Sequence, residues 1–328
     1  MGLSTQEIED KLRDPDTDVR WKWVRRTDFT PTPEQAEIGL TDYIEWIRRE
    51  WVKRMDFTPT PEQIERGLTD PHVDIRSAWA ERMDWTPTPA QVERGLTDPE
   101  YIIRRIWANR MDFTPTPEQV ERGLTDVHWN VRSAWGMRTD YTPTPEQIER
   151  ALKDNEGSIK AIWAKRTDII LSPAQIERGF RDKNRWVKVA WAERMDIVPT
   201  PERIKRGITD EHEVVRLTWA QRKDFTPTPE WVEIGLTDRY ERIREAWAKR
   251  TDFIASEEQI QRGLKDRNID VKIAWISRQE VHPTPTQVKR GLKVKNNRLR
   301  KAWEKKVIDM YREAELEACS DTHINFSI

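Results

Sequence analysis

Eleven tryptophans stand 28 residues apart: Trp23, Trp51, Trp79, Trp107, Trp135, Trp163, Trp191, Trp219, Trp247, Trp275 and Trp303. The column keeps its register without one insertion or deletion. A fixed period of this size means stacked supersecondary units rather than one globular core, because each unit alone cannot bury its apolar face. The phrase PTPEQIERGLTD-xxxx-IRxAWAxRxDFT travels with the column. It starts at Pro31, Pro59, Pro87, Pro115, Pro143, Pro199, Pro227 and Pro283, and is degenerate at Leu171 and Ala255. The chain therefore divides into an N-terminal partial, capping repeat (1–30), ten tandem repeats (31–310) and a C-terminal tail (311–328).

Each repeat reads as two short helices. In Thr60-Pro61-Glu62-Gln63, Thr60 is the N-cap, Pro61 suits the first helical position and Gln63 closes a capping box. Ile64 and Leu68 form the apolar pair of this first helix, and Gly67 leaves room for a neighbouring backbone. Asp70 is expected to cap a second helix in which Ile75, Ala78 and Trp79 share one face. The predicted fold is all-α: a right-handed α-solenoid superhelix of ten two-helix repeats plus the partial one. A core distributed in this way explains how a chain only 36% hydrophobic and 35% charged can fold.

Composition narrows the remaining classes. The only cysteine, Cys319, excludes a disulfide scaffold and any multi-cysteine zinc site, and reads as a bystander. No run approaches the roughly 18 apolar residues of a membrane span. The N-terminus MGLSTQEIED lacks the pattern of a signal peptide, and Gln6 stands where a myristoylation signal needs Ser or Thr. These features predict a cytoplasmic chain.

The segment Asp70-Pro71-x-x-x-Ile75-Arg76-x-x-Trp79-Ala80, followed by Thr-Pro-x-Gln-Val, resembles the units of HEAT-like and leucine-rich-variant repeat proteins. The resemblance covers residues 4–310. It implies an α-solenoid scaffold with inter-repeat Asp/Arg ladders. Here the unit is 28 residues long, and Trp stands where a small aliphatic residue is usual.

Ten near-copies separate structural from functional positions. The constant columns are those of Trp51, Ile47, Arg48, Arg54, Asp56 and, with one failure at Val294, Asp42. These belong to stacking. The variable columns are 43–46, 49 and 53. At 100° per residue, positions 45, 46, 49 and 53 share a face opposite 47, 50, 51 and 54. This stripe holds the candidate partner-binding residues Trp46, Arg49, His72, Asp74, Tyr101, Arg105, His128, Trp129, Asn130, Arg185, Trp186, His212, Tyr240, Arg242, Asn268 and Arg298. Large aromatics on a solvent-facing stripe are an interface signature.

His72, His128 and His212 share column 44. Two repeats separate His72 from His128, roughly 20 Å at the usual helix spacing, so one metal ion cannot bridge them. They read as polar readers at the start of the second helix. No cofactor motif, phosphate loop or nucleophile motif occurs, so no catalytic residue, cofactor or small-molecule substrate is assigned. The remaining enzyme reading, a glycosylase-like repeat protein, needs an aberrant unit with an isolated acid; neither Leu171 nor Ala255 opens one.

The formal net charge of −1 hides a gradient. Residues 1–142 sum to −7, 143–282 to +2, 283–310 to +7 and 311–328 to −3. Lys289, Arg290, Lys293, Lys295, Arg300 and Lys301 make the basic end, a possible nucleic-acid contact. The sequence thus predicts a non-enzymatic scaffold for a macromolecular partner, a protein in preference to nucleic acid. Nucleic acid is the alternative, with the column of Arg48 meeting phosphates.

Overall fold

The computed structural model describes residues 4–324, with side chains placed for residues 4–312. Cys319 falls outside the described side chains. Every regular segment is helical. The chain forms two compact units, Met1–Ile170 and Leu171–Ile328.

Unit 1 opens with α1 (Thr5–Leu12) and α2 (Thr17–Val24). Five complete pairs follow: α3 (Pro33–Leu40) with α4 (Glu45–Val52), α5 (Pro61–Leu68) with α6 (Val73–Glu81), α7 (Pro89–Leu96) with α8 (Tyr101–Asn109), α9 (Pro117–Leu124) with α10 (Trp129–Met137), and α11 (Pro145–Ala151) with α12 (Gly157–Lys165). Unit 2 holds α13 (Pro173–Phe180) with α14 (Arg185–Ala192), α15 (Pro201–Ile208) with α16 (Glu213–Gln221), α17 (Pro229–Leu236) with α18 (Glu241–Ala248), α19 (Glu257–Leu264) with α20 (Ile269–Ile276), and α21 (Pro285–Gly291) with α22 (Asn297–Ile324). The last helix continues through the position where earlier repeats turn, so residues 311–324 prolong it. No helix among the described residues is long and apolar enough to cross a membrane.

Helices of seven to nine residues are too short to persist alone, so caps and packing hold them. The capping box is present as expected. Thr60 Oγ1 accepts from the Gln63 N–H at 3.3 Å, and Gln63 Oε1 accepts from the Thr60 N–H at 3.0 Å. Each first helix packs on the second helix of its own repeat. Within each unit successive second helices pack along one another, while successive first helices touch more sparingly.

Two expectations change. Asp70 does not cap α6; the N-cap is His72, after a two-residue bend. Asp70 instead accepts the His72 N–H at 2.9 Å and a forked pair from Arg48 Nε and Nη2 at 3.0 and 3.2 Å. The charged fork from the preceding repeat is the stronger partner. Gly67 makes room for an indole, not a backbone. A Cβ there would lie 2.0 Å from Trp79 Nε1, and the other glycines of this column face their own repeat's Trp in the same way. The Trp column from Trp51 to Trp275 is almost wholly buried by this fit.

The constant charges form ladders. The Arg48–Asp70 pair recurs as Arg20–Asp42, Arg76–Asp98, Arg104–Asp126 and Arg132–Asp154 in unit 1. In unit 2 it recurs as Lys188–Asp210, Arg216–Asp238 and Arg244–Asp266. The Arg54 column forms a second ladder. Arg82 Nη1 donates to Val52 O and Arg54 O of the preceding repeat at 2.7 and 2.8 Å, and Nη2 reaches Phe57 O at 3.3 Å. A third ladder runs over the first helices, where Glu37 accepts from Gln63 at 3.2 Å and Arg66 at 2.7 Å.

The ladders make stability depend on acid in one direction. The Arg82 hydrogen bond holds Asp84 below its ordinary 3.8, and Arg194 does the same for Asp196. Burial pushes Asp126 up, but the Arg104 guanidinium and the His128 N–H outweigh it and leave it lowered. Carboxylates depressed in the folded state stabilise above their unfolded pKa, and this is lost as pH falls through the folded values. The urea midpoint should therefore stay level from pH 7 to about 5 and drop steadily below about 4. A midpoint independent of pH down to about 2 would contradict the ladders.

Candidate partner-binding surface

With the ladders formed, the column of Arg48 is largely enclosed against Asp carboxylates; the side chains of Arg20 and Arg104 are 5% and 13% exposed. These cations are thus engaged between repeats, each fork holding the carboxylate of the next unit. What remains open on the second helices is the variable stripe, and each unit carries its own.

In unit 1, Trp46 is 38% exposed and meets Trp21 edge to face, with ring centroids 4.8 Å apart. The Arg25 guanidinium lies 5.3 Å from the Trp21 ring. Trp21 was not among the expected site residues, yet it stands 28 residues before Arg49 and so belongs to the variable column 49. Counting back one period would have found it. Arg49, His72 and Asp74 are exposed beyond this pair.

Further along unit 1, Tyr101 and His128 stack with centroids 3.5 Å apart at 10°, and Trp129 follows His128 at 6.2 Å. Three rings from adjacent repeats thus lie nearly parallel, Tyr101 38% and Trp129 42% exposed. His128 is not a free reader: its Nδ1 caps α10 by accepting the Asn130 N–H at 3.3 Å. Asn130 is half-buried. Arg105 is half-buried, and its Nε is enclosed with no hydrogen-bond partner among the described residues.

In unit 2, Trp186 is 54% exposed with Arg185 stacked on it at 5.3 Å. His212 is the N-cap residue of α16, its Nε2 3.6 Å from Glu211. Tyr240 lies between the guanidiniums of Arg216 (5.4 Å) and Arg239 (4.9 Å). Asn268, expected to read a partner, turns its Oδ1 onto α20, accepting from Asp270 and Val271 at 2.7 and 3.3 Å. Arg298 pairs with Asp270 at 2.5 Å. Arg242 is exposed and lines a cavity of about 430 Å³ together with Leu217.

The basic end is dispersed over α21, α22 and the segment between them. Lys289, Arg290, Lys293, Lys295 and Lys301 are exposed. Arg300 is half-buried beside Asn297 Oδ1 (3.0 Å) and Glu304 (3.6 Å).

No family model matches the chain. No curated protein matches it either. Among solved structures, it is similar to one described as a leucine-rich repeat variant with a novel repetitive protein structural motif. That match has 20% identity and a TM-score of 0.48, over 78% of this chain and 88% of the other.

Proposed function

We propose that this chain is a non-enzymatic repeat scaffold that holds a protein partner along the variable face of its second helices, on the concave side of each unit. One observation carries the reading: the constant charged and aromatic columns are engaged within the stack, whereas the varying positions present half-exposed Trp46, Tyr101, Trp129 and Trp186 to solvent. Rigid aromatic anchors supply contact area at low entropic cost, which is how protein interfaces use them. Engagement of the Arg48 column also counts against the nucleic-acid alternative, leaving it only the basic last repeat.

Heparin chromatography and titration with random DNA across a salt series separate the two readings. The protein-binding reading predicts no steep salt-dependent DNA binding in the micromolar range, and partner capture that survives nuclease. Capture should be lost in the Trp46→Ala, Trp129→Ala double variant. Equal capture by that variant, or DNA binding that weakens steeply with salt, overturns it.

A further inference from the structure

The two units carry opposite charge. Unit 1 has 25 Lys and Arg against 32 Asp and Glu, a net −7, and unit 2 has 32 against 26, a net +6. Unit 2 also contains three cavities, of about 430, 660 and 360 Å³, between successive second helices. They occupy one register. The first lies between α16 and α18, walled by Leu217 and Ala220 on one side and Arg242, Ala246 and Lys249 on the other. Adding 28 to those numbers gives Glu245, Ala248, Asp270, Ala274 and Ser277, which wall the second. Adding 28 again reaches Ile276, Ala302 and Lys305 of the third. Alanine at 246, 274 and 302 puts a small side chain at the wall of each opening. The variable columns 46, 49 and 53 thus have a concrete place: together they wall the first two openings, and column 53 continues into the third.

From this register we infer that unit 2 binds an extended acidic peptide, one side chain per repeat, across α16, α18, α20 and α22; the inference rests on the protein-binding reading above. Neighbouring packed helices are about 8–10 Å apart. A polyproline-type strand rises about 3.1 Å per residue with three residues per turn, so every third side chain falls about 9 Å along the same face. The period of such a peptide matches the period of the openings.

Charge selects the side chains. The first opening shares the Lys249–Glu245 pair with the middle one, and beyond it Lys223 and Arg242 are exposed with no carboxylate partner among the described residues. The third opening presents Lys305 and Arg312 beside Asp309. The middle one is internally balanced by Lys249–Glu245 and Arg298–Asp270, both at 2.5 Å. A peptide with acidic residues roughly six positions apart and a neutral residue midway fits this order. A continuous phosphate chain does not, since the cations of the middle opening, Lys249, Arg278 and Arg298, are already paired with Glu245, Glu280 and Asp270.

The test is fluorescence anisotropy with the full chain and a fluorescein-labelled proline-rich peptide carrying two glutamates roughly six positions apart and serine between them. Binding should weaken about tenfold or more when both glutamates become glutamine, when they are moved to four positions apart, and in Arg242→Glu. Circular dichroism of Arg242→Glu should match the parent, since Arg242 is outside the ladders. Equal binding of the displaced-glutamate peptide, or tighter binding of a single-stranded oligonucleotide of equal charge, overturns the inference. Failure of every peptide while capture through Trp46 and Trp129 persists overturns this inference alone and leaves the scaffold reading standing.

Discussion

Replacing Arg110 by leucine should cost about 3–5 kcal/mol of folding free energy, the range for breaking a buried, fully paired charge. Arg110 is 3% exposed. Its Nη1 donates to Ala80 O and Arg82 O at 2.8 and 2.7 Å, its Nη2 to Trp85 O at 3.3 Å, and its Nε to Asp112 at 3.0 Å. The guanidinium also lies 4.7 Å from the Trp85 ring and 5.2 Å from Trp107. Leucine strands three carbonyls and a carboxylate between two repeats. Because each repeat contacts only its neighbours, the loss falls on one interface, and urea unfolding followed by circular dichroism should broaden or split. Arg110→Lys should lose less. The chain itself has lysine in this column at Lys306, whose Nζ still reaches Arg278 O at 2.9 Å. A leucine variant within about 1 kcal/mol of the parent, inside the ordinary spread of surface substitutions, would contradict this role.

Gly95→Ala should be comparably damaging, about 3 kcal/mol or more, because the added methyl displaces a buried indole rather than filling a void. The new Cβ would lie 2.2 Å from Trp107 Nε1, and Trp107 is 1% exposed. The one repeat with alanine in this column shows the required compensation. Ala151 stands in the column that elsewhere seats the indole, and there the preceding repeat carries Gly136, whose added Cβ would meet Trp163 Nε1 at 2.8 Å. Elsewhere the position of Gly136 is held by a residue such as Ala80 or Ala108. Ala80→Gly should therefore restore part of the stability lost in Gly95→Ala, a coupling read from a double-mutant cycle of urea midpoints. Strict additivity of the two changes would contradict the shared seat of the indole.

These two expectations also show what the sequence could carry. The Trp period and the Thr-Pro-Glu-Gln caps announced the helix pairs directly, because cap chemistry and apolar spacing are local. The partners of constant residues were not legible. Asp70 looked like a cap, since Asp often is one, and only the three-dimensional stack brings the Arg48 fork to it. Gly67 signalled a close approach without naming Trp79 as the group approaching. The division after Ile170 coincides with the degenerate phrase at Leu171, but the equal degeneracy at Ala255 produces no such division. Trp21 was overlooked because it precedes the first complete repeat, although column arithmetic places it beside Trp46. Helix-face geometry puts the variable positions on one side of each second helix, whereas the openings of unit 2 form only where two neighbouring repeats meet.

The central claim is that the constant columns carry the stability of the stack and the variable columns add little to it. The most direct measurement is the urea midpoint of a chain in which Asp74, Trp129, Trp186 and Arg242 are changed together to serine. The account predicts a single cooperative transition, with a total loss within about 2 kcal/mol, the sum of ordinary surface substitutions. A loss as large as that of Arg110→Leu, or a split transition, would show that the stripe is part of the frame.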